Sequence, residues 1–234
     1  MLNSHLDKIT LRKKINIALL AILLTLPLLY VSLIYLEPRK VYLPKIQGMI
    51  LNEAAEIATF SLTTQHNTSF THQDLKGKWH IVSYGYTQCP DICPTTLMIL
   101  SELALLLRQN DQFDDVAFLF YTVDPFHDSV EVLLKYIDYF NKSFIALRPS
   151  SQSSYKRFER SLGIKVTVEK TNKNKLFNVS HSLSILVINP EAQLQAVLLP
   201  DSNFITQGHF TSATLYQDYL TIKSHYQLNG DKSK

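Results

Sequence analysis

An uncharged stretch near the N-terminus separates a short tip from the part of the chain that can fold in water. The 22 residues from Ile15 to Leu36 contain no Asp, Glu, Lys or Arg. A helix of that length measures about 33 Å, which matches the hydrocarbon thickness of a bilayer. The stretch is longer than the apolar core of a signal peptide, and no A-x-A-like cleavage site follows it. We therefore predict a retained transmembrane helix over 15–36, with a cleaved signal peptide as the alternative.

The excess of basic residues lies almost entirely before this stretch. The chain has 23 Lys and Arg against 20 Asp and Glu, and its first fourteen residues hold four of the former and one of the latter, which leaves 19 of each. The net charge of +3 thus describes a short tip, and it gives no indication of nucleic-acid binding. Because a basic tip beside a single span stays in the cytoplasm, we expect 1–14 to be cytoplasmic. The body would then lie in the periplasm, anchored in a bacterial inner membrane rather than a mitochondrial one.

The residues after the span divide into a stalk, a domain and a tail. We expect an extended stalk over 37–56, which has no strong period and contains Pro38 and Pro44. Between 57 and 228, apolar strand-like runs alternate with helical stretches, which is typical of an α/β domain whose mixed sheet is flanked by helices. Residues 229–234 form a polar tail. The main predicted elements are strands at 79–84, 116–122 and 144–147, helices at 94–108, 129–140, 152–162 and 211–226, and hairpins within 60–70, 164–179 and 182–199.

Both cysteines of the chain lie in one short segment between a predicted strand and a predicted helix. Cys89 and Cys93 are four residues apart in the sequence TQCPDICP. This spacing can bring two sulfurs to one side of a first helical turn, where the helix N-terminus favours thiolate over thiol. Such a pair can form a reversible disulfide, bind a soft metal such as Cu(I), or do both at different times. Two inert thiols or a structural disulfide are the alternative.

A metal bound by two sulfurs needs a further ligand, and two histidines follow the ends of elements where a site could form. His181 stands at the entrance of the apolar strand in 182–199, although a histidine there can also cap or pack. His127 follows the strand 116–122, at the sheet edge where α/β proteins build their sites. Asp124, in the same loop, could orient the site or only shape a Val-Asp-Pro turn.

Three segments together resemble the Sco/SenC family of membrane-anchored, thioredoxin-fold copper proteins. The resemblance covers about 60–226 and is carried by KGKW at 76–79 with GYTQCPDICPTTL at 85–97, by Val-Asp-Pro with Asp128, and by His181 followed by Ser182. It implies a thioredoxin-like mixed sheet. It also implies a copper site formed by the thiolates of Cys89 and Cys93 and by the imidazole of His181.

The same resemblance implies a function. The protein would be a metallochaperone rather than an enzyme, and it would deliver Cu(I) or Cu(II) to a copper-receiving subunit during cytochrome c oxidase assembly. Its other partners would be a thiol reductant or an upstream copper donor. Two alternatives remain open: a thiol-disulfide oxidoreductase that needs Cys89 and Cys93 but not His181, and a redox or copper sensor that acts only by binding a partner.

The chain departs from the family pattern beside two of these residues. Ser180 precedes His181 where the family usually has Asp, and His127 stands where the loop commonly carries Arg. A carboxylate beside a metal histidine raises its basicity and fixes its orientation. From Ser180 we therefore expect weaker copper retention than in a member with Asp at this position.

Overall fold

The structure is a computed structural model. It describes residues 43–150, 152–170, 177–181, 184–200 and 210–230, together with 14, 16, 17, 19–30 and 32 near the N-terminus. The chain divides into two units, 1–42 and 43–234. The first contains an apolar helix, α1 (Leu19–Tyr30).

Helix α1 covers the middle of the predicted transmembrane segment. Its twelve residues are fewer than the roughly 20 that cross a bilayer, and residues 15, 18, 31 and 33–36 lie outside the described part of the chain. The span over 15–36 therefore stays a prediction. Among the described residues, the helix long and apolar enough to cross a membrane is Ile92–Gln109. Its inward residues are buried in the core of the second unit, so it is a core helix.

The second unit contains one large sheet, a two-stranded sheet and helices on both faces of the large sheet. The described strands are β1 (Gly48–Glu56), β2 (Ser61–Thr64), β3 (Ser69–Thr71), β4 (Trp79–Gly85), β5 (Val116–Thr122), β6 (Ile145–Pro149), β7 (Val166–Lys170), β8 (Phe177–His181), β9 (Ile185–Ile188) and β10 (Gln193–Leu198). The helices are α2 (Ile92–Gln109), α3 (Val130–Phe140), α4 (Gln152–Ser161), α5 (Ser212–Gly230) and a 3₁₀ turn at His72–Leu75.

The large sheet is mixed, as predicted. Its strand order is β1-β10-β9-β4-β5-β6-β2-β3, and β7 pairs with β8 separately. The central strands β4, β5 and β6 run parallel, whereas β9, β10, β1, β2 and β3 join them in antiparallel pairs. The carboxyl ends of β4 and β5 therefore meet at one edge, and β9 begins at that same edge because it runs opposite to β4.

Alternation along the central strands sends side chains into two separate cores. On one face, Ile81 and Phe118 pack with residues of α2, α3 and α5. On the other face, Val82 and Leu119 pack with residues of α4 and of the β2–β3 hairpin. Successive strand residues point to opposite faces, so a continuous apolar run is what a sheet covered on both sides requires.

Several predicted elements are confirmed. Strand β5 has the predicted bounds, and the three hairpins form as antiparallel pairs, β2–β3, β7–β8 and β9–β10. Helix α3 begins after Ser129, whose hydroxyl accepts a hydrogen bond from the Val132 N–H at 3.3 Å. That bond satisfies one of the N–H groups that a helix start leaves without an intrahelical partner.

The expected stalk over 37–56 is wrong for its second half. Residues Gly48–Glu56 form β1, which pairs with β10, so the folded unit begins before residue 57. The sequence of this segment shows no clear strand period because β1 is an edge strand whose pairing with β10 shifts register between Ile50 and Ala55. Ile50 is its one buried residue, and the break in pairing removes the alternation that an amphipathic strand would show.

His80, near the start of β4, gives the fold a pH dependence. Its side chain is 2% exposed, and burial lowers its pKa from 6.5 to about 4. Between these values the unfolded chain binds a proton that the folded protein excludes, so stability is retained above about pH 6.5 and lost as the pH falls toward 4. We expect this group to cost about 3 kcal/mol of unfolding free energy across that window. Urea denaturation followed by Trp79 fluorescence measures it.

In His80→Gln this contribution should disappear, so the unfolding free energy should change less between pH 7 and 4.5 than in the wild type. His66→Gln, at an exposed histidine, is the matched control, and its unfolding free energy should change with pH as that of the wild type does. If the unfolding free energies of His80→Gln and the wild type change equally with pH, His80 is not the source of the pH dependence.

Candidate metal centre

The loop between β4 and α2 brings the two cysteines together. Strand β4 ends at Gly85, Cys89 lies in the following turn, and Cys93 lies in the first turn of α2. The backbone N–H of Cys93 donates a hydrogen bond to Cys89 Sγ at 3.4 Å. Because the first N–H groups of a helix lack intrahelical partners, one of them is available to stabilise negative charge on the Cys89 sulfur.

The two thiols differ in accessibility. Cys93 is 4% exposed, whereas Cys89 is partly exposed. The structure holds both as thiols, and the hydrogen bond with Cys89 and then burial raise the pKa of the Cys93 thiol. Cys89 is therefore the more accessible sulfur, and Cys93 is the inner one.

Gly85 lets the inner sulfur approach the end of β4. A Cβ added at this glycine would stand 2.5 Å from Cys93 Sγ and 3.5 Å from Cε2 of Phe120. The first distance is shorter than any van der Waals contact, so a side chain here would displace the thiol or the start of α2. Gly85 opens the segment 85–97 that carries the family resemblance, but the contact that requires glycine is visible only in three dimensions.

A buried carboxylate ties the neighbouring loop to the cysteine loop. Asp128 is fully buried and accepts hydrogen bonds from the hydroxyls of Thr87 and Thr122, each at 2.5 Å, and from the Thr87 N–H. Burial raises the pKa of Asp128, and these hydrogen bonds oppose that rise. Thr87 precedes Cys89 by two residues, so this network fixes the approach to the outer thiol. The sequence pointed to Asp128 only through the family motif, and it did not pair it with the threonines.

Asp124 and His127 are hydrogen-bonded to each other in the same loop. His127 Nδ1 lies 2.6 Å from Asp124 Oδ2. Burial and then the nearby Cys89, Cys93 and Asp124 raise the pKa of Tyr86, so Asp124 lies within electrostatic reach of that tyrosine. Asp124 thus orients His127 and adds negative charge on the Tyr86 side of the cysteine pair.

His181 ends β8, where it pairs with Val166, and Ser180 precedes it. The side chains of both residues lie outside the described part of the structure. The path of the chain nevertheless limits their position: three residues later, the Ser184 hydroxyl lies 2.6 Å from that of Tyr84, the residue before Gly85. Three residues span at most about 11 Å, so the backbone of His181 lies near the sheet edge that carries the cysteines.

The described residues contain no cluster of three or more His, Cys, Asp or Glu side chains that could hold a metal. Of the three predicted ligands, the structure brings Cys89 and Cys93 together, and the chain path keeps the backbone of His181 within about 11 Å of that of Ser184. Two sulfurs are a donor pair that fits a soft ion such as Cu(I) and disfavours Mg²⁺ or Ca²⁺.

Comparison with known proteins gives one family for this chain. The profile of the SCO1/SenC family matches residues 49–207. A putative copper-binding protein of Stutzerimonas stutzeri is 31% identical over 188 residues, which are 80% of this chain and 86% of that protein. The mitochondrial Protein SCO1 homolog 1 of Arabidopsis thaliana is 31% identical over 147 residues, 62% of this chain and 42% of that protein.

Solved structures have the same fold. Arabidopsis thaliana ScoI with copper bound superposes with a TM-score of 0.63 at 26% identity and covers 74% of this chain and 100% of its own. Yeast Sco1 with copper bound superposes with a TM-score of 0.61 at 25% identity and covers 71% of this chain and 87% of its own. Fold and site thus define a thioredoxin-like protein with a dithiol at a strand–helix junction. This chain belongs to the SCO1/SenC family.

Replacing Gly85 with alanine tests the close packing of the inner thiol. We expect Gly85→Ala to lower the unfolding free energy by about 1–3 kcal/mol, the usual range for overpacking, and to increase the alkylation rate of Cys93 as its sulfur is displaced. Urea denaturation and mass spectrometry after timed alkylation measure the two effects.

Gly163→Ala is the matched control. Its added Cβ would meet nothing within 4 Å, although its φ of +69° imposes a conformational cost of about 1 kcal/mol. Cysteine alkylation should not change in this variant. An alkylation rate in Gly85→Ala equal to that of the wild type would show that the thiol is not held against the strand end.

Proposed function

We propose that the protein binds copper through Cys89, Cys93 and His181 and delivers it to the copper-receiving subunit of cytochrome c oxidase during assembly. The observation that carries this proposal is the dithiol at the start of α2, with the Cys93 N–H 3.4 Å from Cys89 Sγ. The copper-bound structures of two Sco relatives, together with the family match over 49–207, support copper as the cargo.

The unequal exposure of the two sulfurs suits transfer. A ligand from the receiving subunit can reach copper on the side of the partly exposed Cys89 while the buried Cys93 still holds it. A mixed set of two thiolates and one imidazole accommodates Cu(I), and with an added ligand Cu(II). Loading displaces the proton of each thiol, so copper uptake releases protons and strengthens as the pH rises.

We also infer that α1 belongs to a membrane anchor over 15–36 that holds the domain on the periplasmic side. The basic tip at 1–14 and the uncharged stretch support this location. It would place the dithiol in an oxidising compartment, which a reductant must counter before copper can bind.

A second candidate function is thiol-disulfide exchange with the cysteines of the target protein. It is favoured by the pairing of one accessible and one buried sulfur, because an outer thiol can attack a disulfide and an inner thiol can then resolve the mixed disulfide. This function requires both cysteines and makes no use of His181.

Replacing His181 distinguishes the two functions. Purified, reduced wild-type protein should bind one Cu(II) per chain and show a thiolate-to-copper charge-transfer band. Cys89→Ser and Cys93→Ser should lose this band. His181→Ala should weaken copper binding by roughly 100-fold, because losing a ligand costs at least as much as losing a residue that only orients one. Titration against a copper chelator measures the affinity.

Oxidation of the dithiol by a small disulfide should proceed at the wild-type rate in His181→Ala, since that reaction needs only the sulfurs. His66→Ala is the matched control and should bind copper as the wild type does. If His181→Ala keeps full copper affinity, the ligand assignment is wrong. If it also keeps full function in cells, thiol exchange is the better account.

A further inference from the structure

A cavity opens beside the C-terminal half of α4, outside the cysteine loop. Its volume is about 390 Å³, within the range of roughly 300–1,000 Å³ that is typical of ligand sites. None of its lining residues belongs to the proposed copper site. They are Lys156, Glu159, Arg160, Gly163, Ile164 and Lys165.

Three of the lining side chains are cations. Lys156, Arg160 and Lys165 are exposed, and none of them is in salt-bridge contact with a carboxylate of the residues that the structure describes. Lys156 and Arg160 are four residues apart on α4 and so share a helix face, and Lys165 reaches the cavity from the segment before β7. Glu159 is the one carboxylate of the lining. The cavity therefore carries a positive excess, although the basic and acidic residues after residue 14 balance.

These cations are not needed to cap the end of α4. The backbone N–H groups of 162–164 donate hydrogen bonds to the carbonyls of 158–160, so the chain itself satisfies this helix end. The same hydrogen bonds leave none of these three N–H groups for a phosphate, which many proteins bind through groups of that kind. A ligand of this cavity must therefore be recognised mainly by side chains.

Glu159 adds a hydrogen-bond acceptor to the cationic lining. Its Oε1 accepts a hydrogen bond from the hydroxyl of the buried Tyr121 at 2.8 Å, which fixes the carboxylate. A carboxylate has about four lone-pair positions, so it can accept a further N–H donor. A phosphate has no N–H group and is repelled by the carboxylate, whereas a peptide brings backbone N–H groups along with its acidic side chains. The lining therefore fits an acidic peptide better than a phosphate.

The cavity adjoins the strand pair that carries His181. Lys165 directly precedes β7, whose first residue, Val166, pairs with His181. Paired residues of an antiparallel ladder have Cα atoms about 5 Å apart and consecutive Cα atoms lie about 3.8 Å apart, so the Cα atoms of Lys165 and His181 are within about 9 Å. A ligand bound through Lys165 therefore lies beside the strand of the predicted copper ligand.

We propose that this cavity is a docking site for an acidic segment of a partner protein, whose carboxylates pair with Lys156, Arg160 and Lys165. Binding of the segment requires no copper. Use of the docking site during copper transfer rests on the proposed function, because it holds the partner next to the strand that carries His181.

A labelled hexaglutamate peptide, titrated with the metal-free full-length protein and followed by fluorescence anisotropy, tests the docking site. Lys156→Gln, Arg160→Gln and Lys165→Gln should each weaken peptide binding about threefold, and the triple variant about thirtyfold, which is the scale of one exposed ion pair per charge. Arg157→Gln is the matched control. Arg157 is exposed on the same helix but does not line the cavity, so its removal should leave the affinity unchanged at physiological ionic strength.

Four results would overturn the inference. The wild type could fail to bind the peptide, or Arg157→Gln could weaken binding as much as Lys156→Gln does, which would indicate a diffuse attraction without a site. An affinity unchanged in the triple variant would place the binding elsewhere, for example on the basic tip at 1–14. Displacement of the peptide by inorganic phosphate more effectively than by chloride at equal ionic strength would show a phosphate site. Because the titration contains no copper, its result is independent of whether the proposed copper site is correct.

Discussion

The close approach of Cys93 Sγ to the backbone of Gly85 is the contact on which the site depends. A Cβ at residue 85 would come within 2.5 Å of this sulfur, so the first turn of α2 can dock on the end of β4 only if residue 85 has no side chain. The docking is held in place farther along the helix, where Leu97, Leu100 and Leu103 are buried in the core beneath the sheet. The hydrophobic packing of α2 therefore determines where the inner thiol lies.

Around this contact, the fold gives the two sulfurs different environments. The buried Cys93 thiol lies against the end of β4, whereas Cys89 lies in a loop that Thr87 ties to the buried Asp128. An inner ligand that is held and an outer ligand that is accessible are what a protein needs if it must retain a metal ion and later release it to a partner. The same asymmetry also serves disulfide exchange, which is why the two candidate functions share one site and differ in their use of His181.

Much of the fold could be predicted from the sequence, because its elements carry local signals. The buried run of β5 and the cap of α3 at Ser129 depend on a few adjacent residues, and both are confirmed. Strand β1 was missed because its partner, β10, lies about 140 residues later and its own pairing shifts register between Ile50 and Ala55. At the site, the Cys89–Cys93 pair was predicted from its spacing, and His181 was named as a ligand through a family resemblance. The need for glycine at residue 85 arises from a tertiary contact, so no local pattern could reveal it.

The central claim is that copper is held by two cysteine sulfurs and one histidine nitrogen at the edge where β4 ends. X-ray absorption at the copper edge of the Cu(I)-loaded, full-length protein tests it most directly, because it identifies the atoms bound to the metal. This account predicts two sulfur ligands and one nitrogen ligand per copper, with the nitrogen contribution absent in His181→Ala. A spectrum with nitrogen and oxygen ligands alone, or one unchanged by that substitution, would contradict it.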